Sequence, residues 1–271
     1  MDNLSYQYLD HNFSPEKAQD YTLLLHGNRS GFSFAVVGKN KLLALSNPLD
    51  WDVLKEPAAE NNLLLQNYGK RIIGLPFGAF TFVPVSLFDP GKVADFARFL
   101  DVKATDKVFS QPLDAENQVI FKICADMLAK IEGTFSVKDV VFAPKGWIQA
   151  VAGGETANQN LYLDISRDTV EILNIREGKL RYYNSFVFTN EDELAYFVTI
   201  AANELQLPFN TVNLVVSGDA DLDDDKCNRL KYFFGSIELN TLKVLTLPKQ
   251  AVPHSILSLT ALSLCGSSGA N

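Results

Sequence analysis

From residue 21 onward the chain alternates short apolar runs with breaks rich in Gly and Asn. Residues 21–25 read Tyr-Thr-Leu-Leu-Leu, a turn covers 26–29, residues 32–37 are again mostly apolar, a second turn falls at 38–40, and 41–45 read Lys-Leu-Leu-Ala-Leu. Runs of this length between such turns predict an antiparallel meander. Pro48 and Asp50 lead into a helical segment holding Leu54 and residues 63–65. Strands are predicted over 71–73 and 80–85, and residues 90–100 place Val93, Phe96, Ala97 and Leu100 on one helical face. Residues 108–112 and 118–123 pair around a turn at 113–117, and a helix follows over 125–131. Residues 137–142 read as one continuous apolar strand buried on both faces. Residues 1–20 lack periodicity and read as a loosely held arm.

Gly and Asn concentrate again around residues 151–160, the best linker in the chain. The opening design then repeats: Leu-Tyr-Leu-Asp over 161–164, a turn, alternation over 169–175, a turn at 176–178, and a strand over 179–188. Residues 23–47 lie over 161–185 without a gap at an offset of 138, with Leu23, Leu25, Arg29, Lys41 and Leu42 identical to their counterparts. A clear helix follows. Thr189 or Asn190 caps it, Glu191, Asp192 and Glu193 suit its positive end, and Leu194, Phe197, Val198, Ala201 and Leu205 form its buried stripe. Pro208 stops it, and a strand over 212–216, a turn at Ser217-Gly218-Asp219, a helix over 225–234, a strand over 243–247 and a helix over 255–264 complete the chain. The fold class is α/β: two similar lobes of mixed β-sheet flanked by helices. The expected organisation is an arm over 1–20, a first lobe over 21–152, a second over 160–250, and a C-terminal helix and tail over 251–271 that returns to the first lobe.

Composition narrows the function classes. With 47% hydrophobic and 21% charged residues in 271, the chain is neither disordered nor a coiled coil. A net charge of −8 and pI near 4.9 repel polyphosphate, and the densest basic stretch, 226–231, is offset by Asp221, Asp223, Asp224 and Asp225. Nucleic acid is therefore not expected as a partner. No signal peptide opens the chain and no apolar run approaches the ~20 residues of a membrane span, so a cytoplasmic protein without membrane insertion is expected. Cys124, Cys227 and Cys265 read as buried reduced thiols. The acids from Asp219 to Asp225 begin like a calcium loop, but Asp224 stands at the required Gly and Leu230 at the closing Glu, so they are expected to solvate the loop and cap a helix. His11, His26 and His254 are too sparse for a metal cluster, and no metal is expected. Lys145-Gly146-Trp147 either lines a cleft or anchors the fold through a buried Trp. The aromatics Tyr182, Tyr183, Phe186 and Phe188 place one face in the core and leave Tyr183 or Phe186 for a partner.

Three strands, then helix, strand, helix and strand, occurring twice, resemble the actin, sugar-kinase and chaperone ATPase superfamily, whose lobes have a ribonuclease H-like fold. The likeness is to its small bacterial members such as the pilus-assembly protein PilM, and residues 80–84 and 180–188 resemble a bacterial family of unknown function within it. It covers residues 20 to 266. In active members the first hairpin carries an Asp and a Gly that serve metal and phosphate; here the stretch reads Leu25-His26-Gly27-Asn28-Arg29-Ser30-Gly31, with His26 in the acid's place. The second hairpin ordinarily carries an Asp, several glycines and a Thr; here Asp164 and Thr169 persist, the glycines are gone and Asp168 has arrived. A Gly-Gly that meets the nucleoside is reduced to Ser217-Gly218. The resemblance thus implies Gly27, Asn28, Asp164, Thr169, Ser217 and Gly218 as the residues nearest any bound nucleotide. It implies ATP and magnesium as ligands of active members, and the eroded loops argue against both here. The expected function is a non-catalytic, degenerate actin-like scaffold or adaptor for a protein or peptide partner. The alternative is a weak ATP-binding protein or ATPase using the cleft between lobes.

Overall fold

A computed structural model describes residues 6–55 and 63–266. They form two compact units, one of residues up to Gly146 and from Leu262 onward, the other Trp147–Ala261.

The first unit is built on β1 (Tyr6–Leu9), β2 (Thr22–Gly27), β3 (Gly31–Gly38), β4 (Lys41–Ser46), β5 (Leu49–Asp50), β6 (Lys70–Leu75), β7 (Ala79–Pro84), β8 (Lys107–Pro112), β9 (Asn117–Ile123) and β10 (Val140–Phe142), with helices α1 (Val93–Ala97) and α2 (Ala125–Ile131). Its main sheet runs β1-β4-β3-β2-β6-β10, with β5 paired to β3. Strands β2, β6 and β10 are parallel, and Leu23, Leu24, Leu25, Ile72 and Ile73 are buried in succession, as strands covered on both faces require. A second sheet, β7-β9-β8, stands apart. Gln111 on β8 joins the two: its amide donates to the Val140 carbonyl at 2.8 Å and accepts from the Phe142 N–H at 3.1 Å. A side chain thus satisfies backbone groups of β10.

The second unit holds β11 (Asn160–Ile165), β12 (Thr169–Arg176), β13 (Lys179–Val187), β14 (Asn213–Gly218) and β15 (Ser236–Leu239), in the order β13-β12-β11-β14-β15. Helix α3 (Lys145–Ala152) leads into it, and α4 (Glu191–Glu204), α5 (Asp225–Lys231) and α6 (Leu257–Ala261) complete it. One sheet face contributes Leu161, Leu163, Val170, Ile172, Leu214 and Val216 to a core closed by Leu194, Val198 and Ala201 of α4 and Leu230 of α5. The meander of the first unit recurs here residue for residue at the offset of 138. Even the bulge recurs, between Val36 and Val37 of β3 and between Asn174 and Ile175 of β12. Both β-turns place two residues at positive φ, Lys39-Asn40 and Glu177-Gly178, as two-residue hairpins demand.

Several sequence expectations are corrected. Residues 6–20 are not loose: β1 pairs with β4, and the buried Asp10 carboxylate accepts from Tyr8 Oη at 2.6 Å and the Asn12 N–H at 2.9 Å while pairing with Lys41 Nζ at 2.6 Å. A contact across thirty residues leaves no periodic trace. The helix expected over 90–100 is one α turn between 3-10 turns, ended by Asp101 in the left-handed region; its apolar face still packs, through Val93, Phe96 and Leu100. Residues 137–139 form a 3-10 turn capped by Ser136, so the strand begins at Val140. The last strand is Ser236–Leu239 rather than 243–247, and α5 ends at Lys231. His26 and Gly27 lie in β2, and Ser217 and Gly218 in β14, instead of in turns. Cys124 is exposed at the start of α2, whereas Cys227 is buried. Tyr183 is buried too, and Phe186 is half-buried against Phe197, their centroids 4.5 Å apart. Trp147 is fully buried. The helical segment predicted to hold Leu54 and residues 63–65 falls partly on residues 56–62, outside the described residues, as do residues 1–5 of the arm and 267–271 of the tail. No helix among the described residues is long and apolar enough to cross a membrane.

Candidate functional site

In the first unit, the hairpin joining β2 to β3 is closed by its own polar groups. Asn28 Oδ1 accepts from the Ser30 N–H, the Gly31 N–H and the Ser30 hydroxyl, each at 2.9 Å, and the Asn28 N–H donates to the Gly31 carbonyl at 2.8 Å. Gly27 is demanded by packing: a Cβ there would stand 2.5 Å from the Trp51 ring. Trp51 is buried, donates its indole N–H to the Asn28 carbonyl at 3.0 Å and lies against Phe32. The turn is thus an Asx turn clamped by an aromatic ring. His26, near the end of β2 before it, is largely covered, and burial pulls its pKa down to about 4. Lys145, where α3 starts, is also buried, and burial lowers its pKa. Burial disfavours the charged form of both cations.

In the second unit, Asp164 and Ser217 share a register in the parallel pair β11–β14, and Asp164 and Glu171 share one in the antiparallel pair β11–β12. The same row extends to Ser185, opposite Glu171 on β13. Four polar side chains therefore cross the sheet on the face opposite the α4–α5 core. The Asp164 carboxylate accepts a hydrogen bond from the Ser258 hydroxyl of α6. Glu171 lies within hydrogen-bonding reach of the Tyr183 hydroxyl. Burial raises the pKa of both carboxyls, Ser258 opposes the rise at Asp164, and the charge of Asp164 adds to it at Glu171. Ser217 is fully buried and its hydroxyl has no partner among the described residues. Gly218 ends β14 at φ +87°, where a Cβ would come 2.2 Å from the Ile165 carbonyl oxygen and 2.4 Å from Asp164 Oδ1. The Asp219 N–H donates to that carbonyl at 2.6 Å.

The turn between β11 and β12 is likewise self-contained. The Ser166 N–H donates to the Thr169 carbonyl at 2.8 Å, and the Thr169 hydroxyl donates to Asp168 Oδ1 at 3.2 Å. Of the residues singled out in the sequence, Gly27 ends β2 and Asn28 opens the turn after it, Asp164, Ser217 and Gly218 meet at the ends of β11 and β14, and Thr169 faces Asp168. Glu171, Ser258 and Tyr183's place beside them were not legible as site residues. Alternation in β12 puts Glu171 opposite Asp164 once the hairpin register is known, but nothing local marks Ser258. The acidic loop behaves as expected of a cap: Asp224 Oδ1 accepts from the Cys227 N–H at 2.7 Å.

Similarity to solved structures is consistent with this frame. A Bacteroides thetaiotaomicron protein with actin-like ATPase fold and unknown function matches with a TM-score of 0.76 and 19% identity, over 93% of this chain and 99% of that one. The cytoplasmic domain of EpsL, an inner membrane component of the type II secretion system of Vibrio cholerae, matches with a TM-score of 0.50 and 10% identity, over 92% and 96%. The fold is therefore that of the actin-like ATPases. No curated protein matches the chain. The model of a family described as a protein of unknown function, DUF3822, matches residues 10–237, and the chain belongs to that family.

Proposed function

We propose that this chain is a degenerate actin-like protein that does not turn over nucleotide and serves as a cytoplasmic scaffold or adaptor for a protein partner. The observation that carries the reading is the engagement of Asp164 by Ser258. In the resemblance this is the acid of the second phosphate hairpin, and here it is held by a side chain of its own unit. Backbone N–H groups of both hairpins are likewise committed, those of Ser30 and Gly31 to Asn28 and that of Ser166 to Thr169. Phosphate binding at such turns depends on free, convergent N–H groups. Such a donor set does not fit a nucleoside triphosphate with its divalent ion.

The recurrence of strands, bulge and turn at one offset supports an internal duplication, whose framework has been kept while its phosphate loops have eroded. Support for a protein partner comes from the first unit, where Val85, Leu87, Phe99 and Val102 are exposed within eighteen residues, Phe99 to 83%. EpsL, a component of a secretion system, offers an analogy for this fold within an assembly, as does the pilus protein that the sequence resembles. The test is ATP turnover by the purified chain with and without magnesium. The expected result is no metal-dependent phosphate release above a no-protein control. Turnover that is metal-dependent and lost in Asp164→Asn would overturn the reading.

A further inference from the structure

The polar row across the second sheet sets two acids directly opposite each other with no basic residue between them. Asp164 and Glu171 are register partners in β11 and β12, so their Cβ atoms lie about 5 Å apart on one face, where two negative charges repel. The groups facing the pair are known element by element. β13 presents Tyr183 and Ser185, with Arg181 exposed as the extra residue of the bulge. β14 presents Val215 and Ser217, and β11 itself adds Tyr162. Helix α6 carries no titratable residue, and His254 lies in the turn before it. No cation among these offsets the two acids, so a proton is the species that can. Ser217, buried and unpartnered beside Asp164, marks the row as a place where polar demand exceeds the hydrogen bonds supplied.

We propose that Asp164 and Glu171 share one proton and that, in this state, Asp164 and Ser258 form a latch holding α6 against the second sheet. The singly protonated pair makes the strongest arrangement. Glu171 holds the proton and donates toward Asp164, while Asp164, ionised, accepts from Ser258, a charge-assisted bond stronger than one to a neutral carboxyl. Loss of the shared proton leaves two anions face to face across the ladder and drives the strands and the helix over them apart. The direction of both pKa shifts agrees. Because both pKa values are raised above those of the unfolded chain, the folded form holds the extra proton, and the stabilisation is lost as pH rises through the raised values. The device sits at a consequential place, since the chain passes from the second unit back to the first immediately after α6, between Ala261 and Leu262.

Hydrogen exchange of the amides in α6, corrected for intrinsic rates, tests the latch on the full chain at about pH 6 and about pH 9. In the wild type, protection is expected to fall at least tenfold between the two. In Glu171→Gln, whose amide mimics the protonated acid, the fall is expected to be less than threefold, and in Ser258→Ala protection is expected to be low at both. Wild-type protection that does not change with pH, or a Glu171→Gln variant that loses protection as the wild type does, would overturn the latch. Should Glu171→Gln fail to fold, carboxyl 13C titration of the wild type decides. A Glu171 carboxyl still protonated near neutrality supports the proposal, and titration of both acids in the ordinary carboxylate range contradicts it.

Discussion

At Gly218 the structure supplies a packing reason for a glycine that the sequence singles out on other grounds. In the sequence, Ser217-Gly218 resembles the remainder of a nucleotide motif. In the structure, its φ of +87° and the 2.2 Å approach of a Cβ to the Ile165 carbonyl make glycine a requirement of the contact between β14 and β11. Gly218→Ala is expected to cost roughly 2 to 4 kcal/mol, strain plus steric overlap. Gly133, at φ +85° with nothing near its Cβ position, is the control, and Gly133→Ala should cost about 1 kcal/mol. Chemical denaturation of both variants checks the difference, and equal costs would mean that the packing argument is wrong. The same distinction holds at Gly27, where the residue serves the Trp51 ring. Glycines are visible in a sequence, but the neighbour that demands them is set by tertiary packing. Asn190 was legible in both respects, because capping is local: its Oδ1 accepts from the Glu193 N–H at 2.9 Å.

At the scale of elements, the sequence was most informative where periodicity was long. The helix after Asn190 and the helix Ala125–Ile131 stand where they were expected. So do the paired strands β8 and β9. It was least informative where an element is short and held by distant partners, as with β1. Four residues give no usable alternation, and the tie is the Asp10–Lys41 pair, closed by hydrogen bonds that hold the Asp10 carboxyl well below the usual carboxylate range. Asp10→Asn is therefore expected to release β1 from β4 while leaving the rest of the first sheet intact. Hydrogen exchange should show faster exchange at the β1 and β4 amides that face each other and no change in β2 or β6. An unchanged β1 would show that backbone pairing alone retains the strand. The β15 strand escaped for a similar reason, since Ser236–Leu239 gains its place from pairing with β14 rather than from its own pattern.

For the whole molecule, the offset of 138 proved the most useful feature of the sequence, because strands, turns and bulge all keep it. The candidate site was harder to see. Loss of glycines from the second hairpin is visible in a sequence, but the use of Asp164 by Ser258, ninety-four residues away, is visible only in three dimensions. The central claim is that these turns no longer take a nucleotide, and thermal unfolding with and without millimolar magnesium ATP tests it most directly. A ligand present at a hundred times its dissociation constant stabilises the native state by about 2.7 kcal/mol, which for a chain of this size raises the midpoint by roughly 5 to 10 °C. The account predicts a midpoint that magnesium ATP leaves unchanged, and a dose-dependent rise of several degrees would contradict it.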